Sequence, residues 1–495
     1  MSTLAGLTTA GREALVAEIA RQVVERLRAA GGSPAAAAKA EAAPRPKAAP
    51  PALGHGVFAT VDEAVKAAAA AQRRVAAMSI EERGGVVGII RRLCDEHAEE
   101  LGRRELEETG IGRLDHKVEK LRIVKKVLGV EALRIDARSD ASGLCVIERA
   151  PWGVVGMVLP ATHSAPTMAS NAINVLAAGN TAVFSPHPAA SRIAAHALQM
   201  WNREIERVTG LANAITTVAE PTIAAVEELF RHELVALLCV TGGPAVVKAA
   251  MQTGKRVIAA GPGNPPVVVD ETACPTAAAK AIVEGAAFDN NLLCIGEKEV
   301  FVVASRADAL MKALREAGAV ELDARQIAAL TEAAFTFDGP GKGCGRAHVR
   351  KELVGKDPAV LAAAAGARVP PGTPLLFGET KADHAFVQEE QMMPFLPIVR
   401  VPDFEAAVAA AVQAEHGYRH TAIVHSKDVG HVTTMARAMN TTLFVHNGPS
   451  TAALGAGGAG YLSFSIATPT GEGVTTPLTF TRERQISIGG ALRIV

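Results

Sequence analysis

The sequence predicts an α/β fold with largely parallel sheets. Short apolar runs that are typical of buried strands occur at residues 154–159, 182–184, 234–240, 257–260, 267–269, 300–304 and 421–425. Helical patterns at residues 168–178 and 245–252 separate some of these runs, and glycine-containing turns lie at 179–180 and 241–243. A repeated order of strand, turn and helix favours parallel pairing. We therefore expect the loops that carry Pro160, Ser185 and Thr241 to share one edge of a sheet, where ligands bind.

The composition is that of an ordinary enzyme with two or three domains. The chain has 495 residues, of which 49% are hydrophobic and 21% charged, and its formal net charge is +0. This balance, with only 4% aromatic residues, argues against nucleic-acid and anionic-membrane partners. We also expect no membrane span, because no apolar run reaches roughly 18 to 20 residues, and no secretory signal. The six cysteines are scattered without metal-ligand spacing, which predicts a reducing compartment and neither a metal site nor disulfides.

The N-terminus predicts an appendage to the main body. Residues 9–30 carry an apolar stripe at helical spacing (Leu15, Val16, Ile19, Val23 and Leu27), which predicts an amphipathic helix within residues 1–30. Residues 31–53 are rich in alanine and proline and predict a semi-extended linker. Such a helix buries its stripe on the parent domain, on copies of itself or on another protein. The alternatives are a solvated helix without a partner and, more weakly, a membrane-surface helix.

Two further segments bear on chemistry. Cys294 lies in a segment that leads into the predicted strand at 300–304, and a thiolate there could attack a carbonyl carbon. A buried, inert role is the alternative for Cys294 and the favoured interpretation for the other five cysteines. Residues 455–460 match G-x-G-x-x-G, but the pattern at 461–466 predicts a strand, so we expect a loop and no dinucleotide fingerprint.

Six segments together resemble the aldehyde dehydrogenase family, most closely its CoA-acylating branch of propionaldehyde and acetaldehyde dehydrogenases. They are residues 176–181, 185–188, 261–266, 288–298, 389–397 and 467–473. The resemblance, which runs from about residue 54 to the C-terminus, implies a Rossmann-type NAD-binding domain at 54–270, with an oligomerisation strand near 138–151. It also implies an α/β catalytic domain at 271–446. Residues 447–495 would return to the first domain and end in a second strand of a β oligomerisation extension, so we expect a homo-oligomer.

The N-terminal helix and linker resemble the encapsulation peptides of enzymes found in bacterial microcompartments. The resemblance implies that residues 9–30 bind a shell protein. It also implies a cytoplasmic location inside such a compartment.

The resemblance assigns the chemistry to named residues. Cys294 would form a thiohemiacetal with the aldehyde, pass a hydride to NAD and retain the acyl group as a thioester. Ala259 stands where hydrolytic members carry a water-activating glutamate, so CoA would accept the acyl group and the product would be an acyl-CoA. His163 stands where an asparagine usually helps to bind the oxyanion. An imidazole could do so in a pH-sensitive way, or it could merely line the loop.

The cofactor assignments follow from the same motifs. Ser185 replaces a lysine that contacts the adenosine ribose in hydrolytic members, and the absence of an arginine favours NAD over NADP. Glu390 matches the glutamate that holds the nicotinamide ribose, although an exposed helix-face glutamate is the alternative. Turn glycines can also be purely steric. The predicted cofactor-binding residues are Pro160, Ser185, His187, Thr241, Gly242, Gly243, Gly261 and Glu390.

Other functions remain open from the sequence alone. A hydrolytic aldehyde dehydrogenase could use Glu297 or His163 as its base, and a shell or scaffold protein could have lost catalysis. Leu292, Leu293 and Ile295 suit a short apolar aldehyde, with propanal favoured. Propanal, acetaldehyde and lactaldehyde differ too little for the sequence to separate them. Dimers and tetramers are equally compatible with the sequence.

Overall fold

A computed structural model describes residues 50–338 and 347–492. The predicted helix at 9–30, most of the linker and Cys344 lie outside these residues. Within them, no helix is both long and apolar enough to cross a membrane.

A six-stranded parallel sheet forms the first half of the chain. Its strands are β1 (Val57–Phe58), β4 (Val154–Val158), β5 (Thr181–Ser185), β6 (Ile215–Val218), β7 (Val235–Thr241) and β8 (Arg256–Ala260), in the order β1-β6-β5-β4-β7-β8. The chain winds outward from β4 through β5 and β6, then crosses to β7 on the other side of β4. This reversal creates a crevice at the carboxyl ends of β4 and β7, where open α/β sheets bind ligands.

A second parallel sheet has seven strands in the order β11-β14-β15-β10-β9-β16-β17. They are β9 (Pro266–Val269), β10 (Glu299–Val303), β11 (Val320–Glu321), β14 (Leu376–Thr380), β15 (Phe395–Val401), β16 (Thr421–His425) and β17 (Leu443–His446). Because β9 pairs with β10 and β16, the predicted boundary at residue 270 falls just after the first strand of this sheet.

An antiparallel sheet extends from the first half. It contains β2 (Asp136–Asp140), β3 (Gly143–Pro151) and β20 (Thr481–Gly489) in the order β2-β3-β20. Most residues of β20 are exposed. Two small antiparallel ladders complete the strands: β12 (Phe335–Phe337) with β13 (Ala347–Val349), and β18 (Ile466–Ala467) with β19 (Gly473–Val474).

The helices cover both parallel sheets. Those of the first half are α1 (Val61–Ala77), α2 (Ile80–Glu96), α3 (Ala98–Thr109), α4 (Leu114–Arg122), α5 (Ser164–Ala177), α6 (Ser191–Thr209), α7 (Ile223–Arg231) and α8 (Pro244–Met251). Those of the second half are α9 (Pro275–Ala287), α10 (Ala304–Glu316), α11 (Ala324–Ala334), α12 (Pro358–Ala364), α13 (Ala385–Gln388), α14 (Phe404–Ala414) and α15 (Val429–Met439).

Helix α5 is the central helix of the first half, and every one of its residues is buried. Its polar side chains bind the C-terminal part of the chain. Asn171 Nδ2 donates to Ser465 Oγ at 3.1 Å, and Asn174 Nδ2 donates to the Thr475 carbonyl at 3.4 Å. Since an unpaired buried amide is costly, these contacts fix the position of the chain around residues 463–475 against α5.

Candidate active site

A cavity of about 570 Å³ opens between α4, the end of α9 and the segment at 451–466. Cys294 and His163 both line it, as does the side chain of Lys120. The wall around them is largely apolar and includes Phe288, Leu293, Ile295, Leu454, Leu462, Phe464 and Ile466. The predicted strand at 461–466 is wrong, because these residues, apart from the start of β18 at Ile466, form an irregular wall of the cavity.

The loop that carries Cys294 begins with three consecutive left-handed residues. The φ angles of Asp289, Asn290 and Asn291 are 49°, 55° and 64°. Asparagine and aspartate tolerate this conformation better than other non-glycine residues. Asn291 Nδ2 donates to the carbonyls of Ala286 and Glu297, each at 2.9 Å, so the amide fastens both ends of the loop.

Lys298 is buried and binds the loop that carries Cys294, and sequence analysis did not identify it. Its Nζ donates to the Asn291 carbonyl at 2.9 Å, to Asn291 Oδ1 at 2.6 Å and to the Leu293 carbonyl at 3.1 Å. Burial and the nearby carboxylate of Glu390 raise the pKa of the Cys294 thiol to about 12, while the charge of Lys298 acts in the opposite direction. The ammonium therefore supports the thiolate form of Cys294.

Gly263 brings three site residues together. The backbone of Gly263 hydrogen-bonds the carboxylate of Glu390, whose pKa burial raises to about 7 against the effect of Lys298. A Cβ atom added at Gly263 would lie 2.7 Å from the Cys294 carbonyl oxygen and 2.8 Å from Cγ of His420. Only glycine allows this approach, which places Cys294, Glu390 and His420 around one residue.

His420 is the residue of this group that sequence analysis missed. It is buried, its Nδ1 lies 2.8 Å from Thr421 Oγ1, and its backbone N–H donates to Glu415 Oε1 at 2.8 Å. Its Nε2 has no hydrogen-bond partner among the described residues. Burial and then the charge of Lys298 lower the pKa of His420 to about 4, so its imidazole is neutral at physiological pH. When Nδ1–H donates to Thr421 Oγ1, the free lone pair of the ring lies on Nε2.

His163 immediately precedes α5 and is also buried. Its Nδ1 lies 2.8 Å from the Thr162 hydroxyl. When that hydroxyl donates, the proton of the neutral ring resides on Nε2. Burial, followed by the charge of Lys120, holds the pKa of His163 well below its ordinary value. The pH sensitivity predicted for His163 therefore lies below the neutral range.

The predicted cofactor residues gather mainly at one edge of the first sheet. Pro160, Ser185 and Thr241 lie at or just beyond the carboxyl ends of β4, β5 and β7, and Gly261 directly follows β8. The Ser185 Oγ is buried without a hydrogen-bond partner among the described residues, whereas the Thr241 hydroxyl lies 2.8 Å from Ser465 Oγ. This arrangement agrees with the prediction that the loops carrying Pro160, Ser185 and Thr241 lie at one edge of the sheet.

The remaining cofactor residues differ in their surroundings. Gly243 precedes α8 without a side-chain cap, and no other atom lies within 4 Å of the position that a Cβ would occupy there. Gly242 packs more tightly, because a Cβ there would lie 2.9 Å from Val246. His187 is exposed, and its Nδ1 accepts the Ala189 N–H at 3.1 Å, so one ring nitrogen is used within its own turn.

Comparison with known proteins identifies the family. The model of the aldehyde dehydrogenase family matches residues 54–326 and 355–462. The chain belongs to the aldehyde dehydrogenase family. The acetylating acetaldehyde dehydrogenase EutE of Salmonella typhimurium is 46% identical over 443 residues, which are 89% of this chain and 94% of that protein.

Two solved structures support the CoA-acylating branch. The propionaldehyde dehydrogenase of Rhodopseudomonas palustris, with bound CoA and an acylated cysteine, has a TM-score of 0.86 and 41% identity over 90% of this chain and 100% of the other. A propionaldehyde dehydrogenase from the fucose utilisation bacterial microcompartment of Clostridium phytofermentans has a TM-score of 0.85 and 40% identity, covering 89% of this chain and 100% of the other. The predicted fold class and the resemblance to this branch are confirmed.

Two positions bear on hydrolysis by this aldehyde dehydrogenase. Ala259 is buried in β8 within an apolar core. The carboxylate of Glu297 is buried as well, and it accepts the Ser450 N–H at 2.8 Å and the Ser450 hydroxyl at 2.9 Å. Glu297 is therefore engaged away from the cavity wall, which argues against its role as a base that activates water.

Replacing Lys298 with methionine is expected to slow alkylation of Cys294. Loss of the ammonium disfavours the thiolate and raises the thiol pKa further, so the pH profile of iodoacetamide alkylation moves to higher pH. At a fixed pH below the thiol pKa we expect the rate to fall by about tenfold. The exposed Lys312, which pairs with Glu316, provides the matched control K312M. An alkylation rate of K298M equal to that of K312M would contradict the assignment of Lys298.

Proposed function

We propose that this aldehyde dehydrogenase oxidises a short-chain aldehyde with NAD and transfers the acyl group from Cys294 to CoA. One observation carries the proposal: Cys294 and His163 line the same cavity, while the carboxylate considered for hydrolysis, Glu297, is bound to Ser450. The acylated cysteine and bound CoA in the relative from Rhodopseudomonas palustris support the same assignment. The experiment that tests it is the identification of the acylated product, which the Discussion develops.

The edge of the first sheet suits a dinucleotide. The buried, unpartnered hydroxyl of Ser185 can bind a ribose, and the uncapped N-terminus of α8 at Gly243 offers backbone N–H groups to phosphate. Glu390 would hold the nicotinamide ribose near Cys294. When bound, NAD supplies the acceptor for the hydride. Residues 185–188 include no arginine, which favours NAD over its phosphorylated form.

The residues around Cys294 can perform the first half of the reaction. We assign His420 as the base, because its neutral Nε2 is free among the described residues and its ring lies next to Gly263, which also adjoins the Cys294 carbonyl. The thiol gives its proton to this nitrogen, and the sulphur forms a bond to the aldehyde carbon. The oxyanion that develops accepts a hydrogen bond from Nε2 of His163 and from the Cys294 backbone N–H. Loss of a hydride from this adduct leaves a thioester on Cys294.

The second half transfers the acyl group. After His420 has released the proton of Cys294 to solvent, its Nε2 takes the proton of the CoA thiol, and the CoA sulphur attacks the thioester carbon. The bond from Cys294 to that carbon then breaks, so Cys294 is released and acyl-CoA departs. His163 would serve both oxyanions, because the same carbonyl oxygen carries the charge in each half.

The apolar part of the cavity wall favours apolar aldehydes. Leu293, Ile295 and Phe464 line it with Cys294, and none of them offers a hydrogen bond from its side chain. Propanal and acetaldehyde, the substrates named for the relatives, suit this wall. We favour propanal, since the additional methyl group adds apolar contact.

We also propose a homo-oligomer and a shell protein as partner. Ile135, which directly precedes β2, and Ile486 of β20 are exposed to solvent, with exposed fractions of 62% and 39%, and a second copy would cover them. The sequence of residues 9–30 and the relative from a bacterial microcompartment support a cytoplasmic location inside such a compartment.

Removing residues 1–49 is expected to leave kcat unchanged and to abolish binding to the shell. The truncated chain keeps Ala52, whose carbonyl accepts a hydrogen bond from Gln199 at 2.7 Å. Full-length and truncated chains should be co-expressed with the shell proteins and compared by co-purification. A fusion of residues 1–49 to an unrelated protein is the positive control. Equal recovery of the truncated chain with the shell would contradict this assignment.

A further inference from the structure

Four charged side chains form a buried group beside the cavity. They are Glu105 of α3, Lys117 and Lys120 of α4, and Asp289 of the Cys294 loop, and all four are almost completely excluded from solvent. Lys120 Nζ contacts Asp289 Oδ2 at 2.5 Å, and Lys117 Nζ lies 3.9 Å from the same oxygen and 3.8 Å from Glu105 Oε1. Although burial alone would raise the pKa of Asp289, the two ammonium groups hold it below its ordinary value.

The group touches the chain on both sides of His163. Lys117 Nζ and Lys120 Nζ each lie 3.4 Å from the carbonyl oxygen of Thr162, the residue before His163. On the other side, Glu105 Oε1 accepts the N–H of Ser164 at 2.8 Å. His163 is therefore held between two backbone groups that these charges bind.

The same group holds the start of the Cys294 loop. Asp289 is the first of the three left-handed residues that precede Cys294, and its Oδ1 accepts the Arg113 N–H at 2.8 Å. Gly112 must be a glycine for this contact, because a Cβ there would lie 2.3 Å from Asp289 Oδ1. Lys120 thus links the loop of Cys294 to the carbonyl next to His163 through a single ammonium group.

A contribution to folding stability does not explain why these four charged side chains are buried together. Replacing a buried ion group by apolar side chains of similar volume is often neutral or stabilising, whereas removing one partner is costly. A precise separation between two catalytic groups is a better reason, because a misplacement of about 1 Å can lower the rate by about 100-fold.

We propose that Lys120 and Asp289 are a positioning pair that sets the distance between the sulphur of Cys294 and the imidazole of His163. Neither residue acts on the aldehyde itself. The inference rests on the proposed function of Cys294 and His163. The inference gives α4 a role in catalysis that sequence analysis did not identify, because Lys120 of α4 would set the relative positions of Cys294 and His163.

The test compares K120M with the double variant K120M/D289N. K120M leaves Asp289 buried without its closest cation, so we expect a lower Tm and a lower kcat. The double variant removes one charge of each sign and leaves Lys117 with Glu105. We expect its Tm to return toward that of the wild type while kcat stays about 100-fold lower and KM for propanal changes by less than about threefold.

The controls separate positioning from folding and from the proposed function. K125M removes an exposed lysine that pairs with Asp95 and should retain the wild-type kcat. If K120M does not fold, the kcat and Tm of the charge-balanced double variant still test the positioning role. Recovery of both Tm and kcat in the double variant would overturn the positioning role. C294A, measured in parallel, tests the proposed function separately. Activity in C294A would contradict the role of Cys294 as nucleophile, whereas loss of the positioning role alone would leave C294A inactive.

Discussion

Replacing Cys294 with alanine is expected to lower NADH formation from propanal, NAD and CoA by about 10⁴-fold or more, as for removal of other enzymatic nucleophiles. Alanine offers no atom that can bond to the aldehyde carbon, so neither the thiohemiacetal nor the thioester can form. His163 and Lys298 would remain in place but would have no reacting sulphur to assist. The measurement is steady-state NADH absorbance together with mass spectrometry of the trapped acyl-enzyme.

Cys274 provides the matched control for this variant. It is exposed and lies outside the cavity lining, so C274A should retain the wild-type rate and acyl-enzyme mass. Retention of substantial activity by C294A would reject Cys294 as the nucleophile and with it the proposed mechanism.

Omitting CoA is expected to confine NADH production to one equivalent per active site. The first half of the reaction would proceed and leave a thioester on Cys294. Ala259 supplies no proton acceptor, Glu297 is bound to Ser450, and water is a weaker acid and a weaker nucleophile toward the thioester than the CoA thiol that His420 would deprotonate. Rapid mixing should therefore show a burst of NADH followed by a rate close to zero. Addition of CoA should restart NADH production and yield propanoyl-CoA in equal amount.

The product distinguishes this course from hydrolysis. Chromatography after complete conversion should show propanoyl-CoA and almost no propanoate. Undiminished turnover without CoA, with propanoate as product, would reject CoA as the acyl acceptor. The rate of any slow propanoate release after the burst would measure the hydrolysis of the thioester by water.

The parallel sheets could be predicted because their strands are buried on both faces and appear as short apolar runs. β16 has the predicted bounds, and β4 differs from its prediction by one residue. Helix α5 begins at Ser164, earlier than the predicted 168, because Pro166 lies in its first turn, where a proline needs no hydrogen-bond donor. The NAD-binding and catalytic domains remain predictions, with β9 pairing in the second sheet.

The catalytic surroundings could be predicted only in part. Cys294, His163 and Glu390 have recognisable motifs, and the structure places the first two at one cavity. Lys120 and His420 have no local signal, because a lysine on an amphipathic helix and a histidine before a strand are ordinary in sequence. Their importance comes from burial and from contacts with residues more than a hundred positions away. Such contacts arise from tertiary packing, which local patterns do not record.

The segment at 463–466 has a consequence for redesign of this enzyme. Phe464 and Ile466 line the cavity, while Ser465 between them binds both Asn171 of α5 and Thr241 at the cofactor edge. We expect a substitution that widens the cavity for longer aldehydes to move Ser465 and thereby weaken its hydrogen bond with Thr241. We therefore expect aldehyde preference and dinucleotide affinity to change together when this short segment is altered. Variants selected for new substrates should be screened at several NAD concentrations, since a gain in one property can conceal a loss in the other.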